Sequence, residues 1–223
     1  MKQQISPRQK QILYYLSQEQ IENFEPVGSI QIKEKYDLDF SPATIRHELF
    51  ELCQMEYLEQ PHTSAGRILS DIGWEILIND FLENVFSDSL FNQPSDLESL
   101  AKELAKKTKT LSIVYDWKNE EIHKTGLEYI LNEKTINNLT ELSLIARSID
   151  TIDEKIRSLK DNLYEKQINV FFGKNNPLFQ TDKLTFIGTK SNKDKLIIGI
   201  ISPKVTPYEE HFKLFQSLIN SLN

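Results

Sequence analysis

The chain has a single cysteine, Cys53, in 223 residues, so no internal disulfide can form. That excludes a disulfide-stapled secreted domain. No apolar run approaches the ~18 residues that a membrane span needs. The opening MKQQISPRQK lacks the apolar core of a signal peptide. These absences lead to the expectation of a cytoplasmic protein that does not engage a membrane.

Glycine is scarce, at seven residues, and the phosphate-cradling GxGxxG and P-loop patterns are missing, as is the G-x-S-x-G nucleophile turn. The four histidines, His47, His62, His123 and His211, are scattered and make no metal-ligand spacing with Cys53. The expectation is a protein that is not an enzyme and has no cofactor and no metal. Cys53 itself falls on the apolar side of a predicted helix, where a buried, inert thiol is expected.

Positive charge is also short. The net charge is −7, and residues 1–87 account for all of it, with seven Lys and Arg against fourteen Asp and Glu. A nucleic-acid binder normally shows a basic footprint. If this chain binds DNA, its few cations must gather on one face, and the global field opposes association rather than steering it.

What is present is an ordered succession of helix signals. Ser6-Pro7 is an N-cap followed by proline at the first helical position. With Ile12, Leu13 and Leu16 it predicts a helix over 7–23. Pro26 and Gly28 make a turn, and Ser29 is expected to cap a short helix through about Lys35. Ser41-Pro42 repeats the start signal and opens a third helix, with Ile45, Leu49, Leu52 and Cys53 on one face. A strand is expected at Tyr57–Glu59 and its partner at Arg67–Leu69. Ser70-Asp71 then opens a fourth helix to about Glu83. Three helices followed by a two-stranded hairpin is the order of a winged helix-turn-helix, with PHTSAG, residues 61–66, at the tip of the wing.

The residue types there suit DNA. A recognition helix reads bases mainly with its N-terminal residues. Ser41, Ala43 and Thr44 are small enough for close approach, and Arg46 and His47 follow one turn in. Arg46 can grip a guanine or a phosphate. On the wing, His62, Thr63, Ser64, Gly66 and Arg67 offer donors, close backbone approach and charge. Each feature alone is ordinary. A lone surface arginine rarely touches DNA, exposed histidines are seldom ligands, and winged helices also serve as protein-docking modules. The joint occurrence at these distances carries the reading.

The stretches EPVGS, KYDLDFSPATIR and LEQPHTSAGRI closely resemble the N-terminal domain of the HrcA-type heat-inducible transcription repressors, over about residues 4–85. The resemblance continues more thinly in GLEYILNE, FFGKNNPL and GIISPKVTPYEEHFKLFQSLINSL. It implies a repressor of chaperone operons that binds an inverted-repeat operator as a homodimer and is kept active by a GroEL-type chaperonin. The pattern departs at Ile30, where the family usually carries Arg or a similar residue. It departs again at His47, in place of Asn, and at Leu69, in place of Pro. Family members are also much longer. They carry a GAF-like domain with a dimerisation insert, whereas LSIVYDW here runs almost directly into KNEEIHKTGLEYIL.

For the second half, the residues predict a connecting helix within 88–110, capped by Ser95 with Glu98, and then an α+β domain over 111–223, a reduced GAF-like regulatory or dimerisation unit. Strands are expected in LSIVYDW, INVFFG, KLTFIGTK and KLIIGIIS, about four in all, with SNKDK as a turn. One helix is expected from Thr135 to about Lys166, with a stripe of Leu139, Leu142, Ile145, Ile149, Ile152, Ile156, Leu159 and Leu163. That stripe can pack on the domain's own sheet or form a helix–helix dimer contact; its imperfect heptads disfavour a long coiled coil. A last helix places Phe212, Phe215, Leu218, Ile219 and Leu222 on one side. Two functions stand against each other: a sequence-specific DNA-binding repressor, and a winged-helix protein-interaction module that has lost specific DNA binding.

Overall fold

The computed structural model describes residues 5–86, 96–131, 136, 138–173, 176–179 and 181–222. They fall into two compact units, Met1–Asn84 and Val85–Asn223. The architecture is mixed α and β, as expected. Among the described residues, no helix is long and apolar enough to cross a membrane.

The first unit contains α1 (Pro7–Asn23), α2 (Ser29–Tyr36), α3 (Pro42–Gln54), β1 (Leu58–Glu59), β2 (Ile68–Leu69) and α4 (Asp71–Glu83). Helix α1 starts on a full capping box: the Ser6 hydroxyl accepts from the Gln9 N–H, and the Gln9 side chain accepts from the Ser6 N–H. Ser41 and Ser70 cap α3 and α4 without the reciprocal bond, their hydroxyls accepting from the Thr44 and Gly73 N–H groups. Helix α2 differs from expectation. Gly28 is its N-cap and Ser29 its first helical residue, so the start has no side-chain cap.

Ile12, Leu13 and Leu16 of α1 meet Ile45, Leu49 and Leu52 of α3 and Trp74, Leu77 and Ile78 of α4 in a closed core. Polar ties fix the pieces around it. The buried Glu19 carboxylate accepts from Gln31 (2.8 Å) and the Tyr36 hydroxyl (2.7 Å) and pairs with Lys35, binding α2 to α1. Burial alone would raise the Glu19 pKa, but the bonds donated by Lys35, Tyr36 and Gln31 outweigh it and hold the group ionised. The Gln20 side chain accepts from the Leu69 N–H at 2.8 Å, which anchors β2. Strands β1 and β2 pair antiparallel, Leu58 with Leu69 and Glu59 with Ile68. Arg67 lies just before β2 and pairs instead with Val27, so the expected strand start moves by one residue. Cys53 is half-buried rather than buried, because it stands at the margin of the α3 apolar face.

The second unit holds α5 (Leu97–Thr108), β3 (Leu111–Asp116), β4 (Glu121–Thr125), α6 (Leu127–Ile130), α7 (Leu139–Asp150), α8 (Ile152–Leu159), β5 (Asn169–Phe171), β6 (Leu184–Ser191), β7 (Leu196–Pro203) and α9 (Tyr208–Ser221). Among the described residues five strands, one more than the sequence predicts, form one antiparallel sheet in the order β4-β3-β7-β6-β5. The sequence reading missed β4 because EIHKT has only one strongly apolar residue, as an edge strand does.

One face of the sheet, with Ile113, Tyr115, Phe186, Ile197 and Ile201, packs under Ile145, Ile152, Ile156 and Leu159 of α7 and α8. The other face meets α5 and α9: the Ser112 hydroxyl donates to the Ala101 carbonyl, and Thr185 pairs with the Tyr208 hydroxyl. Helix α5, expected as a connector, therefore packs on the sheet. Its cap is Asp96, whose carboxylate accepts from the Ser99 N–H at 2.7 Å. The expected cap, Ser95, lies outside the described residues.

The single helix expected over 135–166 is two helices, and its start at Thr135 lies outside the described residues. The break falls at Thr151, whose hydroxyl bonds back to the Arg147 carbonyl and whose ψ of 4° departs from the helix. Most of the apolar stripe is buried on the unit's own sheet, while Leu139 is 80% exposed. The stripe is core.

Candidate nucleic-acid interface

Helix α3 presents Ala43, Arg46, His47 and Phe50 on its exposed face. Its start is rigid: the Ser41 hydroxyl accepts from the Thr44 N–H at 3.1 Å and meets the Thr44 hydroxyl at 3.0 Å. The two hydroxyls thus engage each other. His47 lies 3.4 Å from the Glu51 carboxylate, one turn on.

The 61–66 tip is held by side chains as well as by its short strands. The Ala65 N–H donates to the His62 carbonyl at 2.9 Å, closing a turn that leaves His62, Thr63 and Ser64 exposed. Gln60 reaches across the turn and donates to the carbonyls of Thr63 (2.9 Å) and Ala65 (3.1 Å). Arg67 and Val27 exchange both backbone bonds, at 2.8 and 2.9 Å, which fixes the tip against the turn before α2. The Arg67 guanidinium donates to the carbonyls of Ala65 and Gly66, and its buried Nε has no partner.

Between α3, the tip and the start of α2 lies a concavity of about 410 Å³. Arg46 lines it from α3, and Thr63, Ser64, Gly66 and Arg67 line it from the tip. Five of the ten sequence-predicted residues thus meet in one place. Ser41, Ala43, Thr44, His47 and His62 do not line it. The concavity also includes Gln60 and the Gly28–Ile30 turn, which the sequence reading did not select for the site. No motif marks Gln60; its adjacency to Pro61 is the only signal. Gly28 and Ser29 open the eight-residue α2, so backbone N–H groups border the space.

The charge pattern of this unit is uneven. Arg8 pairs with Glu48 at 3.1 Å and stacks over the Phe40 ring. Lys10 pairs with Asp80, Lys33 with Asp37, and Lys35 with Glu19 and Glu22. Among the described residues of the unit, Arg46 and Arg67 are the cations with no carboxylate partner, and both face the same concavity.

The chain's similarity to known proteins runs through both units. A family profile described as the HrcA protein C-terminal domain matches residues 44–211. The heat-inducible transcription repressor HrcA of Carboxydothermus hydrogenoformans is 39% identical, over 49% of this chain and 36% of that one. The protein of the same name from Desulforudis audaxviator is 51% identical over 35% of this chain and 23% of its own length. A solved structure titled as a hypothetical protein has the same fold, with a TM-score of 0.77 and 20% identity, covering 98% of this chain and 96% of the other. The chain belongs to the HrcA family. Its matches cover about a third or less of the length of these curated relatives. The relatives are named as transcription repressors and not as enzymes, in line with the sequence reading.

Proposed function

We propose that residues 1–87 form a winged helix-turn-helix that binds double-stranded DNA and represses transcription of heat-shock chaperone operons. Residues 111–223, preceded by the 88–110 segment with α5, form a reduced GAF-like regulatory and dimerisation domain. Ser41, the cap of α3, and Ala43, Thr44, Arg46 and His47 on that helix face the major groove. His62, Thr63, Ser64, Gly66 and Arg67 grip the adjoining backbone. Two protomers meet an inverted repeat, and a GroEL-type chaperonin is the candidate partner that controls activity.

One observation carries this reading: in a strongly acidic unit, the two arginines without a carboxylate partner line one concavity between the helix and the tip. Acidic partners neutralise the other described cations, while these two remain available to an external anion. Phosphate contacts orient a protein on DNA, and base contacts at α3 supply choice. One protomer has few cations, so tight binding requires the second.

The test is fluorescence anisotropy with a labelled chaperone-type inverted repeat, a scrambled duplex and a single half-site, at two salt concentrations. Tight binding to the full repeat, weaker binding to the half-site and a steep loss with salt are expected. Equal, weak binding to all three would instead favour a protein-docking module.

A further inference from the structure

Among the described residues no strand pairs with the outer side of β4, and the pairing pattern fixes which of its backbone groups face outward. The Trp117 N–H donates to the Lys195 carbonyl, continuing the β3–β7 register of Asp116 with Leu196. Odd-numbered residues of β3 therefore turn their backbone groups towards β7, and Ser112, Val114 and Asp116 turn theirs towards β4. Their partners are Thr125, His123 and Glu121. The N–H and C=O groups of Ile122 and Lys124 consequently point away from the sheet, and among the described residues nothing bonds to them. The opposite edge, β5, has only three residues.

We infer that β4 is a docking edge for a second copy of this chain, pairing antiparallel with its own mate to join two five-stranded sheets into one. A two-fold axis through an antiparallel pair requires partners whose side chains share a face. The register centred on Ile122 meets this condition and uses the outward backbone groups of Ile122 and Lys124. It sets Ile122 beside its mate, extending the apolar face on which Ile122 already packs. It also sets Glu121 opposite the mate's His123, while Lys124 faces the turn that precedes the mate's β4. Lysine on an edge ordinarily discourages pairing. Here its own Asp153, 2.7 Å away, already neutralises it. The alternative register, centred on His123, places histidine against histidine and lysine against isoleucine, and is disfavoured. The strand is thus self-complementary. This inference deepens the homodimer reading, and its test uses no DNA, so failure of DNA binding leaves it intact.

The experiment is sedimentation velocity on the full chain across a concentration series, with two variants. Lys124→Pro removes an outward N–H without touching the β3 ladder, a position where an edge strand tolerates proline. It is expected to weaken the dimer roughly tenfold or more, the order expected from losing symmetric ladder bonds, with an unchanged circular dichroism spectrum. In a Cys53→Ser background, Ile122→Cys sits on the axis, where paired Cα atoms are about 5.5 Å apart, within disulfide reach. It should cross-link to a covalent dimer on mild oxidation, whereas Thr125→Cys, three residues off the axis, should not. A wild-type chain that stays monomeric throughout, a dimer indifferent to Lys124→Pro, or no cross-link at Ile122→Cys would each overturn the proposal.

Discussion

Gly66 stands against the backbone of Val27 so closely that a Cβ would lie 2.4 Å from the Val27 carbonyl carbon. The neighbouring Arg67 exchanges two hydrogen bonds with the same residue. The sequence reading gave Gly66 a role in close approach to DNA; the structure supplies an internal approach that requires glycine first. The turn before α2, the tip and the arginine of the concavity are therefore one mechanical unit.

Gly66→Ala should force the tip away from Val27. Inserting a methyl group into such a contact costs on the order of 1–3 kcal/mol. Urea unfolding in a Trp117→Phe background, followed by the fluorescence of Trp74 in α4, which is buried, would read that loss. DNA affinity should fall as well at temperatures where the variant remains folded, because the displaced tip carries Thr63, Ser64 and Arg67. Unchanged unfolding would mean that the tip has slack the geometry does not show.

Arg46→Ala and Arg67→Ala should each weaken binding to specific and scrambled duplexes and flatten the salt dependence. Each phosphate contact removed lowers the slope of log K against log salt by about 0.9. An arginine that reads a base would instead lose discrimination, by roughly 1–3 kcal/mol, with little change of slope. Titrations at several salt concentrations separate the two roles. If both variants bind like the parent, the concavity is not a DNA contact.

Much of this arrangement was legible. Ser6-Pro7, Ser41-Pro42 and Ser70 mark three helix starts because a capping hydroxyl acts within four residues, and local chemistry is what a sequence displays. Ser29 misled for the same reason: its type suits a cap, but the chain turns one residue earlier, at Gly28. The concavity was half legible. Arg46 and Arg67 lie twenty-one positions apart, and the Arg67–Val27 pairing, which no local signal marks, brings the α2 turn to the tip. The edge strand β4 and the break at Thr151 were hidden because each depends on the sheet beneath it.

His211 on α9 is buried, with Nε2 3.3 Å from the Thr108 carbonyl and Nδ1 without a partner. Burial pushes its pKa from the usual 6.5 down to about 4, only partly offset by the Thr108 carbonyl. The unfolded chain then binds this proton more readily than the folded one. Its contribution is fully present above about pH 6.5 and is lost as pH falls towards 4. A displacement of this size amounts to about 3 kcal/mol at the acid limit. His211→Gln keeps a donor for Thr108 and removes the titration, so its stability should decline less between pH 6.5 and 4.5, as measured by denaturation at matched ionic strength. Parallel curves for parent and variant would remove His211 from the acid response.

Gln60 offers the sharpest separation of tip order from overall stability. Its amide donates to the carbonyls of Thr63 and Ala65, and the Arg67 guanidinium shares the second of these. Gln60 itself is exposed, so losing these bonds returns the carbonyls to water and should change global stability by less than about 1 kcal/mol. The tip, however, loses the bonds that span its turn. Gln60→Ala should speed amide exchange at Ala65, whose N–H closes that turn. It should also weaken DNA binding several-fold by making complex formation order a looser loop. Gln60→Glu should weaken it further: a carboxylate cannot donate to either carbonyl, and it adds negative charge to a concavity lined by Arg46 and Arg67. Wild-type affinity in both variants would show that the tip is ordered without Gln60, by the Arg67–Val27 pairing and the remaining bonds of the turn.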